Sequence, residues 1–207
     1  MMSTYATQDG GRMKILIISD TESNYIWDFF DKDNFKDISC VISCGDLKSN
    51  YLSFLVTMLG VPVFYVHGNH DKNYGLHPPE GCDCIENRVI TFNNLRIAGL
   101  GGSIEYKGGI HQYTEAQMHK RVKKLIRTAK KPIDIFVSHS PTFGLGDDPT
   151  SFSHIGFKCF YLIYNKLRPT YHFYGHNHLT YSPHAKRSIV HHNITLINGY
   201  NYYILEL

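Results

Sequence analysis

The stretch Val61-Pro-Val-Phe-Tyr-Val-His-Gly-Asn-His-Asp71 joins a short apolar run to a cluster of polar groups. Short runs of β-branched and aromatic residues that end at Gly, Asp or Asn are typical of buried strands. Here Gly68 follows the run, and Asn69, His70 and Asp71 come directly after it. The stretch therefore predicts a buried strand whose carboxyl end presents an amide, an imidazole and a carboxylate.

The same arrangement recurs at four other places in the chain. Ligands of open α/β sheets collect at the carboxyl ends of strands, so we expect the polar residues after these runs to meet at one sheet edge. Carboxylate, amide and imidazole together suit divalent cations. The four runs and the residues that follow them are Lys14–Ser19 with Asp20, Cys40–Cys44 with Asp46, Ile133–Val137 with His139, and Tyr171–Tyr174 with His176 and His178.

The order of these groups resembles that of the calcineurin-like metallophosphoesterases. The blocks of that family run Asp-x-His, Gly-Asp, Gly-Asn-His-(Asp/Glu), a lone His, and Gly-His-x-His. The two longest blocks are specific when they occur together, and the set spans most of the chain. Glu22 is the one departure, since the family has His there. The matching blocks here are Asp20-Thr21-Glu22, Gly45-Asp46, Gly68-Asn69-His70-Asp71, His139 and Gly175-His176-Asn177-His178.

The resemblance implies a single α/β domain built as a two-sheet α/β/β/α sandwich with helices outside. Local patterns support this architecture. The first half alternates strands with a helical stretch near 22–31 and a helix over Asn50–Leu59 that Gly60 closes. A hairpin is expected around Asn93-Asn94 within 88–100, and the end of the chain, 189–207, reads as three short antiparallel strands.

The clearest helix is predicted over Thr114–Lys131. Thr114 and Gln117 fit a capping box, and Met118, Val122, Leu125 and Ala129 form one apolar stripe. Several basic residues on this helix, Lys120 and Arg121 among them, would suit a phosphate-rich partner. We favour a solvated outer face instead, because the helix already has a good core stripe.

The resemblance also implies a dinuclear metal centre that binds two divalent ions, of manganese, iron, nickel or zinc. Asp46 corresponds to the bridging ligand of the family. Asp20, Glu22 and His178 would complete one metal site, and Asn69, His139 and His176 the other. His70 would donate a hydrogen bond to the phosphoryl group or the leaving oxygen. Asp71, or another carboxylate, would orient the His70 ring.

Three of these residue groups have alternative interpretations. Asp20 can cap the helix that follows it, and Ser19-x-x-Glu22 fits a capping box, so Glu22 is a ligand, a cap, or a residue that supports the ligands without binding metal. The segment 142–149 reads as a loop over the site. In and near it, Asp147, Asp148 and His154 either meet the substrate or belong to a plain surface loop.

Composition limits the class of protein. The 207 residues suit one domain over 13–207 with a flexible tail over 1–12, and 43% apolar with 19% charged residues is ordinary globular composition. A net charge of +3 is too small to argue for nucleic acid as a partner.

Five cysteines, an odd number, argue against a disulfide framework. Residues 1–12 lack a signal-peptide core, and no apolar run has membrane-spanning length. We therefore expect a cytoplasmic protein without membrane contacts; the oligomeric state stays open.

The function expected from the resemblance is metal-dependent hydrolysis of a small phosphoester. We expect a phosphodiesterase of the small prokaryotic type, acting on a nucleotide-like or other phosphodiester by attack of a metal-bridging hydroxide. Protein serine/threonine phosphatases are disfavoured because Leu47-Lys-Ser-Asn50 follows Gly45-Asp46 in place of their Asp-Arg-Gly segment. The alternatives are a catalytically weak relative that serves as a protein-interaction module, and a nuclease.

Overall fold

Two large sheets form the centre of the protein, in a computed structural model that describes residues 13–181 and 185–207. The predicted tail over 1–12 lies outside the described residues. The strands are β1 (Lys14–Ser19), β2 (Ile38–Ser43), β3 (Val63–Tyr65), β4 (Asp83–Cys84), β5 (Val89–Phe92), β6 (Leu95–Leu100), β7 (Ser103–Ile104), β8 (Gln112–Tyr113), β9 (Ile135–Ser138), β10 (Tyr171–Tyr174), β11 (Ser188–His191), β12 (Ile194–Asn198) and β13 (Asn201–Glu206).

The first sheet has the strand order β13-β1-β2-β3-β4, and the second has the order β11-β12-β10-β9-β6-β5. Strands β1 to β4 pair in parallel, as do β6, β9, β10 and β12. The antiparallel strands β13, β5 and β11 lie at the sheet edges. A small parallel pair, β7 and β8, stands apart. The carboxyl ends of the central strands of each sheet therefore point to a common edge.

Within the described part of the chain, four helices cover the outer faces of the sheets. They are α1 (Asn24–Trp27), α2 (Ser49–Leu59), α3 (Glu115–Ala129) and α4 (Phe160–Leu167). Short 3₁₀ turns lie at Lys32–Phe35, Lys72–Gly75 and Phe152–His154. None of the helices in these ranges of the chain is both long enough and apolar enough to span a bilayer.

The core has three layers of buried side chains. Between the sheets, Ile17 and Phe64 of the first sheet pack with Val137 and Phe173 of the second. Helices α1 and α2 cover the outside of the first sheet, and α3 and α4 cover the outside of the second. Strands that are covered by other elements on both faces usually consist of consecutive apolar residues, as β1 does. The predicted α/β/β/α sandwich is confirmed.

Several local predictions are confirmed. Helix α2 ends at Gly60, which adopts a left-handed conformation with φ of 69°. Helix α3 begins with the capping box of Thr114 and Gln117, and its predicted apolar stripe is buried. Strands β5 and β6 form the hairpin around Asn93-Asn94.

Two other predictions need correction, and a third is confirmed with a pairing that the sequence did not specify. The predicted helix near 22–31 is only the four residues of α1, because Trp27 and Phe30 pack against aromatic rings of neighbouring elements and not along one helical stripe. The strands predicted at the end of the chain are antiparallel: β11 pairs with β12, and β13 crosses to the first sheet and pairs with β1. Arg121 is not on a solvated face. Its guanidinium pairs with Glu86 and donates to the carbonyl of Gly101.

Candidate metal centre

The predicted ligands lie at the carboxyl ends of five parallel strands. Parallel pairing places these strand ends at the same edge, where ligands of α/β sheets bind. Packing of the two sheets face to face brings the two sets of side chains together. Asp20 follows β1, Asp46 follows β2, Asn69 follows β3, His139 follows β9, and His176 and His178 follow β10.

Four of these residues form a buried cluster. The Nε2 atom of His139 lies 3.3 Å from Asp46 Oδ2, 3.1 Å from His176 Nδ1 and 2.9 Å from Asn69 Oδ1. One donor atom from each of Asp46, His139 and His176 lies within 4.8 Å of the others. Residues as far apart in sequence as Asp46 and His176 thus present an oxygen and two nitrogens to one small volume.

The hydrogen bonds of the two histidines set which nitrogen faces this cluster. His139 Nδ1 donates to the carbonyl of Cys44 at 2.8 Å, and His176 Nε2 donates to the carbonyl of Ser153 at 2.7 Å. A carbonyl can only accept, so each neutral ring keeps its lone pair on the nitrogen that faces the cluster. Such outer bonds are what orients metal-binding histidines. Two lone pairs 3.1 Å apart repel unless a proton or a metal ion lies between them, so the donor set is one that a divalent ion fits.

The electrostatics of the cluster also favour a cation. Burial, together with the charge of Asp46, raises the pKa of Asp20 to about 6. Burial alone would lower the pKa of His139, but the charges of Asp46 and Asp20 outweigh it and raise that pKa to about 9. Two carboxylates in a buried site thus draw positive charge toward them, which either a proton on His139 or a divalent ion can supply.

Asp20 and His178 lie next to this cluster. The carboxylate of Asp20 accepts the backbone N–H of His176 at 2.9 Å, and its Oδ1 atom lies 3.9 Å from His178 Nε2. Asp20 does not cap α1, which begins after Ser23. The two groups therefore lie side by side next to the first cluster.

The backbone at the strand ends is strained. Asp20, Asp46 and His176 have φ values of 67°, 57° and 69°, a left-handed conformation that is unfavourable for side chains with a Cβ atom. Such strain persists where the surrounding structure overdetermines it and clusters at functional sites. A side chain at Gly68 would overlap the carboxylate of Asp46, so only glycine fits there.

Glu22 anchors the loop that follows Asp46. Its Oε1 atom accepts the backbone N–H of Lys48 at 2.9 Å, and its Oε2 atom lies 3.8 Å from Lys48 Nζ. The capping-box alternative is wrong, because the hydroxyl of Ser19 donates to the carbonyl of Gly45 and α1 begins only at Asn24. Glu22 thus lies two residues from Asp20 and contacts a residue two positions after Asp46.

His70 and Asp71 have different surroundings. The His70 side chain is 74% exposed, and its Nε2 atom lies 4.0 Å from Asp46 Oδ2. Its backbone N–H donates to Asp46 Oδ1 at 2.7 Å. Asp71 is buried, and its Oδ2 atom accepts the N–H groups of Gly68 at 2.7 Å and Asp46 at 3.0 Å. Asp71 therefore braces two ligand loops, and of the two expected alternatives it is another carboxylate, that of Asp46, that lies beside the His70 ring.

Sequence reasoning missed Tyr106. Its hydroxyl accepts a hydrogen bond from Asn69 Nδ2 at 3.1 Å, which turns the amide oxygen of Asn69 toward His139. Tyr106 lies in the segment between β7 and β8, 37 residues after Asn69. No motif marks it, so only the folded chain reveals the contact.

The loop after His139 has one structural acid. The Asp147 carboxylate accepts the N–H groups of Gly144 at 2.8 Å and Gly156 at 3.0 Å, so this acid holds the loop closed. Asp147, Asp148 and His154 all line a pocket beside His178. The three loop residues singled out in the sequence therefore border the same pocket, and Asp147 also braces the loop.

Comparisons with known proteins identify the family and the fold of the chain. The family model of the calcineurin-like phosphoesterases matches residues 13–179. One solved structure superposes with a TM-score of 0.67 at 15% identity, covering 95% of each chain. The structure of TT1561 of Thermus thermophilus superposes with a TM-score of 0.60 at 15% identity, covering 92% of this chain and 90% of that one. At this identity the likeness concerns the fold alone. No curated protein matches the chain.

Proposed function

This chain belongs to the calcineurin-like phosphoesterase family, which makes it a metal-dependent phosphoesterase in general, and we propose that it hydrolyses a small phosphodiester with two divalent ions. The observation that carries the proposal is the buried cluster of Asp46, His139 and His176, whose donor atoms face one another. Lone pairs and carboxylates that face one another in a buried site suit a bound cation.

The proposed ligand sets are those that the family resemblance implies, and the cluster of Asp46, His139 and His176 supports one of them. Asp46 is the shared ligand. Asn69, His139 and His176 hold one ion, and Asp20, Glu22 and His178 hold the other. When bound, two such ions neutralise phosphoryl oxygens, position the ester and lower the pKa of a shared water. The exposed His70 imidazole, next to Asp46, donates a hydrogen bond to the leaving oxygen. Asp71 keeps the loops of Gly68 and Asp46 in place.

Metal loading followed by elemental analysis tests the proposal. We expect about two ions per chain after loading with manganese, iron, nickel or zinc, because the mixed nitrogen and oxygen ligands suit these ions better than calcium. The loaded protein should then hydrolyse members of a panel of phosphomonoesters and phosphodiesters, with diesters preferred. Absence of bound metal under every loading condition would contradict the proposal.

The site gives little support to the two alternative functions, an interaction module and a nuclease. A catalytically weak interaction module would be expected to have lost ligands or His70, whereas all of these positions carry groups able to bind metal or transfer a proton. A nuclease would need a more basic surface than a net charge of +3 suggests. Manganese as the native metal and a cytoplasmic location stay predictions from the sequence.

Replacing Glu22 separates its two possible roles. Glu22→Gln keeps an oxygen that can accept the N–H of Lys48 but removes the negative charge. If Glu22 is a ligand, this variant should lose one of the two ions. We expect Glu22→His to restore that ion with a preference moved from manganese toward zinc, since imidazole suits zinc. Metal titration of each variant measures this. If Glu22→Gln and Glu22→Ala both keep two ions, Glu22 only anchors the loop.

A further inference from the structure

We propose that a pocket beside His178 binds an aromatic or heteroaromatic group of the phosphoester substrate. The pocket has a volume of about 480 Å³, within the usual range of small-molecule sites of roughly 300–1,000 Å³. It shares His178 with the proposed metal centre, so a group attached to a phosphate at that centre reaches it directly. This inference rests on the proposed function and names the substrate class of the same site.

Aromatic rings lead from the proposed ligands into the pocket. The ring of Tyr181 stacks on His178, with centroids 4.4 Å apart and an angle of 17° between the planes. The rings of Tyr181 and His154 pack edge to face with their centroids 5.3 Å apart, and the ring centroids of His154 and His176 are 5.1 Å apart. Tyr181 is nevertheless 60% exposed. A tyrosine held by its neighbours but largely open to solvent offers a surface on which a planar group can stack.

The wall of the pocket is preorganised by the segment that carries the proposed ligands. Asn177 lies between His176 and His178, and its Nδ2 atom donates to the carbonyls of Gly146 at 3.1 Å and His154 at 3.3 Å. These bonds, with those of Asp147, hold the loop that forms one side of the pocket. A pocket held in shape before binding loses less free energy when a ligand enters.

The chemistry of the lining favours a planar group that also forms hydrogen bonds. Ile189 and Leu179 supply apolar surface, Asp147 and Asp148 supply two carboxylates, and Lys186 supplies a positive charge. These polar groups lie around the Tyr181 ring, where they can form hydrogen bonds with a planar group that stacks on it. A nucleobase or another aryl ester suits this lining better than the ester of a small aliphatic alcohol does.

Two phosphonates test the pocket without hydrolysis, because a carbon–phosphorus bond resists the proposed reaction. Phenylphosphonate and methylphosphonate share the phosphoryl group and differ only in the ring. We expect the metal-loaded protein to bind phenylphosphonate about tenfold more tightly, the effect of burying one ring. Tyr181→Ala should remove most of this ratio and leave methylphosphonate affinity within about twofold, while Tyr181→Phe should keep the ratio.

Tyr25→Ala is the matched control, because Tyr25 is also an exposed tyrosine and stacks on Tyr202, outside the pocket. It should leave both affinities unchanged. Equal binding of the two phosphonates, or an unchanged ratio in Tyr181→Ala, would overturn the pocket assignment. A parallel loss of both affinities would also overturn it, since Tyr181 would then act only through His178. Failure of both phosphonates to bind the wild-type protein would instead contradict the proposed function itself.

Discussion

Asp46→Ala should lose both stable metal binding and hydrolysis. Asp46 is the carboxylate at the centre of the site, 3.3 Å from His139 Nε2 and next to His70. As the proposed shared ligand, it contributes to both ions. The negative charge of Asp46 also helps to raise the pKa values of His139 and Asp20. Its loss therefore weakens both metal positions at once, which is the largest effect expected of any single change in this site.

Elemental analysis and a hydrolysis assay after identical metal loading measure this effect. Asp46→Asn tests the charge alone, because its amide oxygen can still accept the backbone N–H of His70 while the negative charge is gone. Asp33→Ala removes an exposed acid on a distant 3₁₀ turn and should change neither readout. Thermal unfolding of each variant checks that the fold is kept. Two ions per chain in folded Asp46→Ala would refute the shared-ligand role.

His70→Ala should keep both ions and lose most hydrolysis, by about 10²–10⁴-fold, the usual contribution of a general acid. The side chain is 74% exposed, so its removal leaves no buried cavity. The backbone N–H that supports Asp46 remains in the variant. The expected result is thus a folded, metal-loaded and nearly inactive protein.

The leaving group provides a second measurement. An ester with a good leaving group, such as p-nitrophenol, needs little proton donation, so His70→Ala should lower its rate less than that of an alkyl ester. His77→Ala, a change at another exposed histidine, should affect neither substrate. If His70→Ala stripped the metal while Asp46→Ala kept it, the assigned roles of the two residues would be reversed.

Much of the fold was predictable from local patterns. The apolar runs that become β1, β2 and β10 are continuous because both faces of these strands are covered. Helix α3 carries its start signal and its apolar stripe within its own residues. The ends of parallel strands share one edge, so the family blocks also predicted which side chains would meet.

Contacts between distant segments were not predictable in this way. Glu22 anchors Lys48, Asp71 braces Asp46, and Tyr106 orients Asn69. Each of these bonds joins a side chain to a partner that comes within reach only when the loops pack together. The same holds for the crossing of β13 to the first sheet, which depends on the free edge of β1 and not on the residues of β13 alone.

The sequence by itself therefore determined the strands, the helices with strong caps, and the residue types that gather at one sheet edge. Hydrophobic periodicity and backbone preferences depend on a few neighbouring residues. A short stretch such as 61–71 therefore contains the whole pattern that predicts its local structure. Only the tertiary structure decided which nitrogen of each histidine faces the centre, where Asp71 and Glu22 are bound, and that a pocket walled by Tyr181 adjoins His178. These features arise where the two sheets and their loops meet, because they depend on contacts between residues that are far apart along the chain.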